Sequence, residues 1–360
     1  MPPPPALRVF AKKNERILKT TLHLRFLFLS FCLIAAVAVQ GQDIHFSQFY
    51  HSPLTLNPAL TGVSKGDVRL ATIYRSQWEV ARSPYKTIYA AAEKKFYNIA
   101  HETWWFSGGL QLFYDRTGDA NADNANVALT GSYTRMLDKE NFLSIGLAAG
   151  FGQRQFKFGP LSFDSQWNGD IFDPNRPTFE NFDDTNITYP DFGIGINWRG
   201  QKTKTRSKLD VGVGAFHFNR PNQSFQSNDK SQLPTRWSLY MMPTVQVAAK
   251  FDIAGYGTVQ IQDSYLEAIG GAAGKLHLNT NKAKEVALQL GFEYRFNAIG
   301  DAFIPAAEIH YHDWMVGLSW DVNISGFSAA TNRNGGPEIA IRYIFHKVYP
   351  LKTFKACPLI

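Results

Sequence analysis

Residues 285–297 read EVALQLGFEYRFN, a strict alternation in which every second residue is large and apolar. Val286, Leu288, Leu290, Phe292, Tyr294 and Phe296 fall on one face of an extended chain, and Glu285, Gln289, Glu293, Arg295 and Asn297 on the other. A period of two over this length exceeds the five or six residues usual for a strand, and its polar face is charged along its length. The pattern predicts a strand with lipid on one side and water on the other. It recurs at 314–324, where Trp314, Val316, Leu318, Trp320, Val322 and Ile324 form the apolar set, and again at 338–345.

An arginine facing lipid costs roughly 2–4 kcal/mol at the middle of a membrane barrel, so Arg295 and Arg342 must face the lumen. Extending the same reading gives about 14 strands, from 67–78 to 337–345, in an all-β, antiparallel transmembrane outer-membrane barrel. The prolines 190, 243 and 305 fall inside strands and predict bulges or shifted boundaries, which leaves roughly 12 and 16 as neighbouring even counts. The connections supply a second criterion, because such barrels have short periplasmic turns and longer outer loops. With the first strand running outward, the short connections 137–140, 200–206, 252–256 and 280–284 fall on one end. The longer 116–122, 154–185, 220–235 and 325–336 fall on the other, so both chain ends of the barrel are expected at the periplasmic side.

Ahead of the barrel, six basic residues (Arg8, Lys12, Lys13, Arg16, Lys19, Arg25) precede an apolar run at 26–39. That run is shorter than the roughly 20 residues of a spanning helix and suits a secretory signal. The expected organisation is a signal peptide at 1–41, a periplasmic lead-in at 42–66, the barrel at 67–346 and a periplasmic tail at 347–360. Of the formal charge of +7, the leader holds six bases against Glu15, leaving about +2 for the exported chain and no nucleic-acid footprint. Cys32 lies in the leader and Cys357 near the end, so no internal disulfide is expected. A closed sheet, which pairs every strand edge, is then what holds an exported chain of this kind together.

The lead-in contains FSQFYHSPLTLNPALTG at 46–62, followed by YRSQW at 74–78. Together they resemble the N-terminal signature of the PorP/SprF family of Bacteroidota outer-membrane proteins. The resemblance continues through DWMVGLSWDVNISGFSAAT at 313–331, GGPEIAIRYIF at 335–345 and the pair Cys357–Pro358. It implies a non-catalytic outer-membrane barrel that works with the type IX secretion and gliding machinery. The partners implied are type IX components, periplasmic lipoproteins and secreted cargo with a sorting domain, such as large adhesins. The motif residues carried over are Phe46, Ser47, Gln48, Tyr50, Pro53, Leu56, Asn57, Pro58, Ala59 and Gly62, as a partner-docking segment, a plug contact inside the barrel, or a lead-in packed at its base. Pro53 and Pro58 restrict this stretch to extended or turned paths, and Asn57 before a proline favours a turn. A solute channel of fatty-acid-transporter type fits the strands equally well, and a soluble β-sandwich adhesin would have to bury the apolar face.

Other chemistry gives way to structural readings. Glu308, His310 and His312 share a predicted strand face, but neighbours two apart stand about 7 Å from each other, so polar lumen lining is preferred to zinc ligation. The acidic loop 154–185 lacks the spacing of a hand-type calcium loop and is taken as a solvated or partner-contact surface. Gly193 and Gly195 sit in a strand with no following helix, against a nucleotide fold. No Gly-x-Ser-x-Gly elbow is present, and neither cofactor nor catalytic residue is expected.

Overall fold

In the computed structural model, residues 43–346 are described apart from 80–83, 97–102, 119–121, 160, 181–183, 227–229, 282–283, 298–301 and 326–327. The expected leader at 1–41 and tail at 347–360, with Cys32 and Cys357, lie outside the described residues. The strands are β1 (Val68–Gln77), β2 (Tyr85–Phe96), β3 (Trp104–Thr117), β4 (Ala122–Met136), β5 (Asn141–Gln155), β6 (Asn186–Gln201) and β7 (Lys208–Phe216). They continue as β8 (Arg236–Ala248), β9 (Phe251–Gln262), β10 (Tyr265–Asn279), β11 (Val286–Asn297), β12 (Ala302–Tyr311), β13 (Trp314–Asn323) and β14 (Asn334–Phe345). Each pairs antiparallel with its sequence neighbours, and β14 pairs with β1 to close a 14-stranded barrel.

The alternation that predicts the strands also sets their faces. On β11, Leu290 and Phe292 point outward and are 68% and 54% exposed, while Gln289, Glu293 and Arg295 point inward and are buried. On β13, Trp314, Val316, Leu318 and Trp320 face out while Met315, Ser319 and Asp321 are buried inside. The outer wall is thus apolar and the lumen polar, the arrangement that lets a sheet cross lipid with every backbone group satisfied.

The connections at one end include the long 156–185, 217–235 and 324–333; those at the other include 137–140, 202–207, 249–250 and 312–313. The three longest connections share the end the sequence predicts, but length does not alternate throughout: 118–121, expected among the longer ones as 116–122, spans four residues like 137–140, and 263–264 at the long-loop end spans two. The expected turn at 252–256 lies within β9, and the chain turns instead at Ala249–Lys250 and again at 263–264. Gly255 gives the segment turn-like chemistry, but Asp252 is buried in the lumen, where Arg206 and His277 hold it, and Tyr256 stacks inward on Tyr50. The prolines need no bulge: the register shifts lie at Gln246/Ala248, His277/Asn279 and Asp321/Val322. Pro190 lies beyond the reach of the β7 ladder, which starts at Gly193, and Pro243 and Pro305 sit where the ladders to β9 and β13 each skip two pairs. A missing N–H is tolerated at such places.

Candidate functional site

The lumen is occupied by the chain's own residues 44–63. They fold as three single turns, Phe49–His51, Pro53–Leu56 and Pro58–Leu60, each too short to be stable alone. Pro53 and Pro58 take first-turn positions, where a missing N–H costs nothing. The Asn57 side chain caps the last turn, its Oδ1 accepting from Ala59 N–H at 2.8 Å. The barrel wall supplies the remaining contacts.

Phe46 packs against Tyr89 (5.7 Å between centroids) in an apolar cluster with Leu54, Ile73 and Met315. Ser47 and Gln48 present successive backbone N–H groups to the two oxygens of Glu338, at 2.8 and 2.7 Å. Ser47 Oγ donates to Asp321 (2.6 Å) and accepts from Arg295 (2.5 Å), and Gln48 Nε2 donates to Ser319 Oγ and to the Glu338 carbonyl. Arg75 donates to the His45 carbonyl and to Asp321 at 2.7 Å. These residues come from the motif at 46–62, the YRSQW segment and the two C-terminal resemblance segments, with Arg295 from the alternating β11. Segments far apart in sequence therefore meet in one buried charged network.

Across the lumen, Tyr50 stacks on Tyr256 (3.9 Å, 10°) and donates to Glu293 at 3.0 Å. Burial, with Glu293 and Glu308 beside it, raises its phenol well above the usual range. His51 Nε2 stands 3.1 Å from Glu308 Oε1, and burial lowers its imidazole below the usual range, which favours the neutral ring at pH 7. Asn57 Nδ2 reaches the carbonyls of Ile196 on β6 (2.8 Å) and Val213 on β7 (3.1 Å), as well as Tyr240 Oη (3.1 Å). Leu56 joins Phe49, Leu60, Val63, Tyr240 and Ile269 in a second apolar cluster. At the exit, Gly62 adopts φ +70° and donates to Glu93 at 2.7 Å. Every motif residue singled out from sequence thus touches the lumen wall or the segment's own turns.

Sequence reasoning missed Phe49, His51, Ser52, Leu54, Leu60 and Thr61, all as buried as the motif residues. It also missed the glycines that receive the segment. A Cβ on Gly195 would stand 1.9 Å from Asn57 Oδ1, on Gly146 2.3 Å from Ala59 N, and on Gly214 2.4 Å from the Leu56 carbonyl. Gly195, which superficially resembled a nucleotide-binding signature, is a place where one backbone approaches another. On β5 only Gly146 receives the segment, since Gly150 meets Val127 and Ala128 of β4 and Gly152 meets the ring of Tyr189 on β6. Gly195→Ala is expected to lower stability by about 1–3 kcal/mol through overpacking. Gly270→Ala, with nothing within 4 Å, is expected to be near neutral. Urea midpoints of the two variants against the parent check this, and equal midpoints would exclude tight seating at Asn57.

Glu308 is taken up by His51, by His310 (2.9 Å) and by Gln289 (2.8 Å). His312 leaves the strand face predicted for it, since it has φ +52° in the turn after β12. Among the described residues, no group of three His, Cys, Asp or Glu is placed to hold a metal ion.

A closed antiparallel barrel with an apolar outer wall and a polar, internally filled lumen defines an outer-membrane β-barrel protein. The family described as "Type IX secretion system membrane protein PorP/SprF" matches residues 38–343, and the chain belongs to that family. No curated protein matches in sequence. Similar solved structures include the Ralstonia pickettii toluene transporter TbuX (9% identity, TM-score 0.46, 82% of this chain and 94% of that one). Others are the CymD monoaromatic hydrocarbon channel (9%, 0.48, 85% and 96%) and a Pseudomonas aeruginosa FadL homologue (8%, 0.42, 82% and 94%).

Proposed function

We propose that this barrel is a non-catalytic component of type IX secretion that assists the export or surface attachment of particular sorting-domain proteins such as adhesins. The observation that carries the reading is the convergence of the resemblance segments on the luminal segment, within a family of secretion-system membrane proteins. Residues 44–63 act as a plug, which speaks against an open solute pore as the main role. The short-turn end faces the periplasm and meets type IX components and lipoproteins, while the long loops 156–185 and 217–235 face outward. Because the motif is enclosed by the wall, partner contact falls to the rims of the barrel rather than to the motif itself.

Removing the gene is expected to strip a defined subset of sorting-domain proteins from the cell surface, read by surface-protein mass spectrometry, with uptake of small solutes unchanged. Normal surface protein with impaired uptake would overturn the proposal in favour of a channel. Crosslinked recovery of type IX lipoproteins with the tagged, intact barrel is the biochemical counterpart.

A further inference from the structure

Below the plug, toward the short-turn end, the lumen keeps a cavity of about 290 Å³. Seven lysine and arginine side chains line it against four carboxylates. Three of the four acids are already engaged, and the fourth, the more exposed Glu285, stands 3.7 Å from His277. Asp210 receives both arms of Arg199 (2.7 and 2.9 Å), Asp252 receives Arg206 and His277 (both 2.8 Å), and Glu308 receives His310 and Gln289. Arg69 is held by Glu93, which lies outside the cavity lining, at 2.6 Å.

Four cations remain over, of which the exposed Lys65 lies on the stretch that leaves the plug. Lys275 on β10 and Arg342 on β14 make no ion pair within 4 Å among the described residues, Glu308 acting on both only at longer range, and Arg342 Nε is shut from water without a hydrogen bond. Lys208 on β7 reaches Asp210 only at 4.0 Å, on an acid Arg199 already holds. Uncompensated charge in a low-dielectric lumen is costly, and walls of one sign focus counter-ions between them. Seven cations less four lining acids and Glu93 leaves an excess of two. The same space holds Tyr256, Met242 and Pro243, an apolar flank for a small organic group. The residues at 347–360 are not a suitable occupant, since they carry Lys347, Lys352 and Lys355 and no acidic side chain.

We propose that this vestibule binds a soluble phosphomonoester, its dianionic head held by Arg342, Lys275 and Lys208. A guanidinium offers two parallel donors to phosphoryl oxygens, and two ammonium groups supply the remaining charge. The cavity lies on the lumen side of the wall, so the ligand enters from the short-turn mouth and not from the bilayer. This inference does not depend on the secretion role.

The test is isothermal titration of the full, detergent-purified barrel with glycerol 3-phosphate, inorganic phosphate, acetate and glycerol. Saturable binding of glycerol 3-phosphate, weaker binding of phosphate and none of glycerol is the expected result. Combined Lys275→Gln and Arg342→Gln substitution should weaken it by roughly tenfold or more. Lys202→Gln on the exposed 202–207 turn should leave it unchanged. No saturable heat from either phosphate, acetate binding as tightly as glycerol 3-phosphate, or a double variant that binds like the parent would each overturn the proposal. The parent protein alone decides the first two, so a misfolded variant does not shield the idea; heat-modifiable gel migration reports folding.

Discussion

Deleting residues 44–63 is expected to turn a nearly silent barrel into a conducting one, with single-channel conductance in planar bilayers rising on the order of tenfold. The wall should survive the deletion, because its sheet closes from β1 around to β14 and pairs the strands without the segment. What the segment supplies is luminal filling. Its contacts run from Ile73 and Tyr89 on β1 and β2, through Thr130, Ile196, Val213 and Tyr240, to Glu293, Asp321 and Glu338. Once it is removed, Asp321, Glu338 and Glu293 face water, which hydrates them as the backbone N–H groups and hydroxyls of the segment did. A 14-stranded barrel is narrower than the 16- to 18-stranded porins that leave an aqueous channel, so small ions and not folded proteins are expected to pass. Equal conductance with and without the segment, in preparations that both show heat-modifiable migration, would mean that it does not close the lumen.

Much of this fold was legible because a strand between lipid and water writes its two faces into the chain at period two. Arg295 and Arg342 fixed which face was inward, and β11, β13 and β14 follow that assignment residue by residue. The boundaries around β8, β9 and β10 were harder. There Asp252, Gly255, Tyr256 and Gly257 look like turn chemistry, yet the wall needs a buried acid for Arg206, a ring for Tyr50 and room beside Pro243. Lumen requirements override local propensity at such points.

The site was legible as a motif but not as a location. Asn57-Pro58 announces a turn, and nothing local says that the turn will sit beneath β6 and β7 with its amide on two strand carbonyls. That information is divided between the motif and small residues more than eighty positions away, at Gly146, Gly195 and Gly214, which read alone only as weak strand formers. Their meaning depends on the segment that approaches them.

Arg75→Met is expected to cost about 3–5 kcal/mol and to unseat the first turn of the plug while leaving the barrel closed. Arg75 and Arg295 are the cations of a network whose acids are Asp321, Glu338 and Glu267, all at most 2% exposed. Arg75 lies 2.7 Å from Asp321 and 3.6 Å from Glu338, and Arg295 lies 3.0 Å from Asp321 and 3.8 Å from Glu267. Losing one of two cations leaves three carboxylates sharing one arginine, a buried imbalance that removal of water makes large. Ser47 and Gln48 hang from the same carboxylates, so the imbalance falls on the plug before it reaches the ladders. Two readouts separate the stages: the urea midpoint by tryptophan fluorescence for the wall, and maleimide labelling of a Ser47→Cys probe for the plug. Ser47 is fully buried, so the probe should be unreactive in the parent background and labelled in Arg75→Met. Adding Asp321→Asn should restore part of the loss by removing one uncompensated acid. A single variant with an unchanged midpoint and an unlabelled probe would show that Arg75 does not anchor the plug, and would place that role on Asn57 and the glycine floor beneath it.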